Sequence, residues 1–78
     1  MAPQYIKLDV DKNMVPVPNG ISVIYSSIKE LAQDLKFKAS TEYAKDVIYL
    51  LLTEGKALMH NGNEDYELYL PAFTPEED

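Results

Sequence analysis

The 78-residue chain has no cysteine, no tryptophan, no arginine and only three glycines. Without cysteine there can be no disulfide framework and no thiolate centre. Without arginine the chain lacks the side chain that forks onto phosphates and guanine edges. No run approaches the roughly 18 consecutive apolar residues of a membrane span. The start, Met1-Ala2-Pro3-Gln4-Tyr5, has no basic stretch leading into an apolar one, so it does not read as a secretion signal. These absences together predict a cytoplasmic protein with no membrane segment.

What is present is acid, and it is unevenly placed. Thirteen acidic residues face seven lysines, a net charge of −6. Residues 1–56 hold seven of each and are neutral. The excess therefore sits after Lys56, in Glu64, Asp65, Glu67, Glu76, Glu77 and Asp78. Binding to nucleic acid calls for clustered positive charge, so this balance argues against it.

The best-punctuated stretch runs from Ser40 to Gly55. Ser40 or Thr41 can cap a helix, Glu42 suits its first turn, and Gly55 can close it in the left-handed conformation. Ala44, Val47, Ile48 and Leu51 mark one side, which Tyr43, Leu50 and Leu52 widen, predicting a helix covered on most sides. Ahead of it, Ser27-Ile28-Lys29-Glu30 reads as a capping box opening a helix over 28–36. That helix should bury Ile28, Leu31, Ala32 and Leu35. Lys38-Ala39-Ser40 joins the two helices tightly.

The flanks read as strands. Gln4 to Val10 alternates, with Tyr5, Lys7 and Asp9 on one side and Ile6, Leu8 and Val10 on the other. Asp11-Lys12-Asn13 and Pro18-Asn19-Gly20 are turn signals. Pro16 and Pro18 limit Met14–Val17 to an extended arm or edge strand. Residues 21–25 fit a short strand through their β-branched side chains, although Ile21, Ile24 and Ile28 also carry a helical period. After Gly55, Ala57–His60 and Asp65–Leu70 form a hairpin around Asn61-Gly62-Asn63-Glu64. A two-residue loop would set Leu58 opposite Asp65. A four-residue loop pairs Met59 with Tyr66 and Ala57 with Leu68, keeps one side apolar and turns Glu67 and Tyr69 outward. Pro71 ends the ladder. The expected fold is α+β, with two helices on a short antiparallel sheet in one domain (1–71) and an acidic tail (72–78).

Few residues offer chemistry. His60 is the sole imidazole and sits at a hairpin tip, where it reads as an exposed turn histidine. Asp9-Val10-Asp11-Lys12-Asn13 opens like a calcium loop. Met14 and Gly20 then occupy the positions that need glycine and a bidentate glutamate, so it is a turn instead. No residue set fits zinc or a phosphate loop, and no cofactor is expected. Six tyrosines are many for this length, and tyrosine is favoured in interface cores. The residues suggested for a partner surface are Tyr66, Tyr69, Glu64, Asp65 and Glu67, which put tyrosine beside acid on the hairpin. The expected function is a non-enzymatic protein-binding or regulatory module. Its partner would be another protein or a second copy of the chain.

From Ser27 to Leu70 the order of capped helix, tight turn, longer helix, glycine and hairpin resembles the end of a winged helix-turn-helix domain. Residues 28–35 resemble that family's second helix, and 51–58 the join to its wing. The resemblance implies a DNA-binding regulator as the alternative function. The chain departs from the pattern in having strands where the family has a first helix. Its counterpart of the recognition helix carries Glu42, Lys45, Asp46 and Tyr49, and its counterpart of the wing carries Glu64, Asp65 and Glu67.

Overall fold

The computed structural model describes residues 4–60 and 65–72. Its elements follow the order β1 (Gln4–Val10), β2 (Ser22–Tyr25), α1 (Ile28–Lys38), α2 (Thr41–Glu54), β3 (Ala57–His60) and β4 (Tyr66–Ala72). The fold is α+β, with one four-stranded antiparallel sheet ordered β2-β1-β4-β3. The long strands β1 and β4 are central, and the two four-residue strands form the edges. Short edges leave little unpaired backbone for another chain to extend.

Local chemistry sets the helix ends. Ser27 Oγ accepts the Glu30 amide at 3.1 Å. Glu30 Oε1 in turn accepts the Ser26 amide and hydroxyl at 2.6 and 3.0 Å. Ser40 Oγ accepts the Tyr43 amide at 3.0 Å and opens α2. Gly55, at φ 83°, closes α2 with its amide on the Leu51 carbonyl. A side chain at that φ would be strained, so glycine is the fitting residue.

Asp9 and Asp11 organise the loop between β1 and β2. Asp11 Oδ1 accepts the Asn13 and Val15 amides, and Asp9 Oδ2 accepts the Ile21 amide at 3.0 Å. The carboxylates that hint at a calcium loop thus serve backbone donors in a turn. Gly20 is needed there for closeness: a Cβ would come within 3.0 Å of Val17 Cγ2 and 3.1 Å of Asp9 Cβ.

The core lies between the helices and one side of the sheet. Leu31 and Leu35 from α1 and Ala44, Val47 and Leu51 from α2 pack on Tyr5, Tyr25, Ala57 and Tyr69. Two features differ from expectation. First, α2 is not covered on most sides: Tyr49 is 67% and Leu52 70% exposed. The helices form a single layer, so the outer side of α2 faces solvent. Second, the hairpin pairs Ala57 with Tyr69, Leu58 with Leu68, Met59 with Glu67 and His60 with Tyr66. That register is one residue away from the four-residue-loop pairing, and a one-residue slip moves every side chain to the opposite side. Tyr69, expected to face outward, is fully buried. Pro71 and Ala72 also continue β4 opposite Tyr5 and Gln4 of β1. Proline is tolerated there because β3 pairs with β4 only as far as Tyr69, leaving that side of β4 without a neighbour.

Candidate functional site

The register divides the sheet into two unlike faces. Residues directly opposite one another in an antiparallel pair point to the same side. The helix side therefore carries Tyr5, Lys7 and Asp9 from β1, Val23 and Tyr25 from β2, Ala57 and Met59 from β3, and Glu67, Tyr69 and Pro71 from β4. The opposite side carries Ile6, Leu8 and Val10, then Ile24, Leu58, Tyr66, Leu68 and Leu70, with Gln4, Ser22, His60 and Ala72 at its margins. All the charged residues described within the strands, Lys7, Asp9 and Glu67, lie on the helix side.

The charges that turn inward are matched to partners. Glu67 Oε1 accepts the Tyr43 hydroxyl at 2.7 Å and the Tyr69 hydroxyl at 3.0 Å. The two hydroxyls are 3.2 Å apart. Glu67 Oε2 lies 3.5 Å from Lys7 Nζ, with both side chains about one-fifth exposed, at 20% and 21%. Nearby, the Tyr25 hydroxyl donates to Asp34 at 2.6 Å, and Asp34 also pairs with Lys38. Burial is the main cause that pushes the Tyr69, Tyr43 and Tyr25 phenols well above the usual tyrosine range. Negative carboxylates add to it: Glu67 beside Tyr43 and Tyr69, and Asp34 beside Tyr25. All three therefore stay neutral donors across ordinary pH.

These groups line a cleft of about 310 Å³ where α1 hands over to α2. It adjoins a more open depression of about 600 Å³ under the Val17–Ile21 loop, and Lys7, Lys38 and Glu67 border both. Among the described residues no buried side-chain nitrogen or oxygen lacks a partner, and no group of three acids or histidines could hold a metal. The cleft's carboxylates are already committed to tyrosines and lysines, so its evident work is to hold the helix layer on the sheet.

The opposite face has no such network. Neither helix packs on it, but it is not open throughout: Val10, which bridges to Pro16, is fully buried, and Leu68 is 5% exposed. Leu68 sits between its direct partners Leu8 and Leu58. Ile6, Leu8, Leu58, Tyr66 and Leu70 are half-buried, and Ile24 is 62% exposed. At one corner His60 stacks on Tyr66, with ring centroids 4.7 Å apart. The face is thus apolar and uncharged across all four strands.

The five residues suggested for a partner surface are not brought together. Tyr69 is buried and Glu67 faces the cleft, Tyr66 lies on the open face, and Asp65 is exposed and lines the depression on the helix side. Glu64 lies outside the described residues. Sequence reasoning did not single out Ile6, Leu8, Leu58, Leu68 and Leu70 as a surface, because alternation does not say which side of a sheet the helices cover. Lys7 and Asp9 share their side of β1 with Tyr5, and only the structure shows that this charged side is the one that meets the helices.

The fold and its faces define an α+β domain with helices on one side of an antiparallel sheet. No helix among the described residues is long and apolar enough to cross a membrane. No protein-family model matches the chain, and the searches found no similar curated protein or solved structure.

Proposed function

We propose that this chain is a non-enzymatic protein-interaction module of the cytoplasm that docks its partner on the open face of the sheet. One observation carries the reading: a charge-free apolar face four strands wide, on a chain where about a quarter (26%) of residues are charged. Exposing that much apolar surface to water is costly, and docking removes the cost. Tyr66 contributes an aromatic ring to the face, whereas Asp65 lines the depression on the helix side. The hairpin thus keeps a part in binding through Tyr66, and not through Asp65, Glu67 or Tyr69.

The DNA-binding alternative gains no support from α2. Its outer side mixes Glu42 and Asp46 with Lys45 and Tyr49, all exposed, instead of presenting a run of cations.

The test is affinity capture with identification of the retained protein, using the wild-type chain, Leu8→Lys and Glu67→Gln. The wild type and Glu67→Gln should retain the same protein, another chain or a second copy of this one, and Leu8→Lys should lose it. Retention by Leu8→Lys at the wild-type level would remove the open face from the account.

A further inference from the structure

We propose that the occupant of the open face is a second copy of this chain, packed sheet on sheet about a two-fold axis. This rests on the docking reading above and names its partner. Shape argues for a sheet. Four strands spaced about 4.8 Å apart make a face roughly 19 Å wide, whereas a helix is only about 10–12 Å across. A single helix would leave about half the face in water. Two sheets with the same twist, by contrast, pack flush, about 10 Å apart and about 30° from parallel.

Charge argues for self-pairing. In a two-fold interface a patch meets itself, so any charge near the axis meets its like. The six residues Ile6, Leu8, Ile24, Leu58, Leu68 and Leu70 carry none, although the chain has a net charge of −6. The acids and lysines of β1 and β4 are all on the far side. A surface built for a different protein gains specificity from complementary charge, and this one offers none at its centre.

Area sets the strength. Seven residues of β1 and of β4, at about 3.3 Å each, make the face roughly 23 Å long. The four-residue edge strands span only about 13 Å, so two such faces together cover about 700 Å² of flat area. Even with side-chain relief this stays below the roughly 1,200 Å² of standard interfaces, in the range of weak, transient association. A dimer of that size should dissociate at micromolar concentrations, with Leu8 and Leu68 of both copies nearest the axis.

The experiment is sedimentation equilibrium of the full chain from about 5 to about 500 μM, a range bracketing micromolar association. The wild type should move from its 8.8 kDa monomer to twice that mass. Leu8→Lys and Ile24→Lys should each raise the dissociation constant at least about tenfold. Gln33→Lys, on the exposed outer side of α1, should leave it unchanged. Ile24 is 62% exposed, so its variant decides the matter if Leu8→Lys fails to fold by circular dichroism. A wild type that stays monomeric throughout overturns the copy-on-copy proposal, leaving the docking reading to the capture experiment. A dimer that neither Leu8→Lys nor Ile24→Lys weakens also overturns it, because association would then use another surface.

Discussion

The two faces of the sheet solve opposite problems with the same two strands. On β1, Tyr5, Lys7 and Asp9 turn toward the helices, and Ile6, Leu8 and Val10 turn away. The helix side buries tyrosines beside a partly exposed carboxylate, an arrangement that is stable because, among the described residues, each buried polar side-chain atom has a partner. The far side is apolar and uncharged and neither helix packs on it, although Val10 and Leu68 there are buried. The comparison teaches that a small domain can build tyrosine hydroxyls into its own core and leave an apolar face away from its helices. Composition alone would suggest the reverse.

The largest effects should come from the helix side. Leu31 is fully buried, and Leu31→Ala should lower unfolding free energy by about 3 kcal/mol in urea titration. Removing one hydroxyl, as in Tyr69→Phe, leaves Glu67 with one fewer donor and should cost about 1–2 kcal/mol by the same titration. Losing the α1 cap in Ser27→Ala should cost about 1 kcal/mol. On the open face, Leu8→Lys should change monomer stability less than Leu31→Ala while abolishing partner retention. If Leu8→Lys destabilised the monomer as much as Leu31→Ala, the distinction between the faces would fail.

Alkaline pH sharpens the same contrast. The Tyr25, Tyr43 and Tyr69 phenols are raised in the folded protein, chiefly by burial. Groups raised on folding bind protons more tightly in the native state, so their contribution is intact below the unfolded value, about 10 for tyrosine. Above that, the unfolded chain ionises first and stability should fall with rising pH. Urea midpoints measured from pH 8 to pH 11 should stay level and then drop. Tyr69→Phe should make the drop shallower, and an unchanged slope would mean that Tyr69 is not held neutral in the core.

Much of this fold is legible in the residues. Ser27, Ser40 and Gly55 bound the helices as their chemistry requires, and β1, β2 and the terminal hairpin form where alternation and turn residues place them. The sidedness of the sheet was not legible, for a physical reason. Alternation fixes a period of two but not which half of it meets the helices. The loop between β3 and β4 is one residue longer than the apolar pattern favours, and that single step turns Tyr69 inward. Tyr69 gains there the hydroxyl of Tyr43 and the carboxylate of Glu67, a long-range match between α2 and β4 that local pattern cannot reveal.

The chain has no cysteine, so a single introduced thiol reports cleanly on one site. The most direct test is the alkylation rate of Leu70→Cys against Ala57→Cys in dilute folded protein. Leu70 is half-buried on the open face and Ala57 is fully buried under the helices. Leu70→Cys should react within about tenfold of the unfolded chain, and Ala57→Cys at least about a hundredfold more slowly. Equal protection of the two thiols would contradict the account.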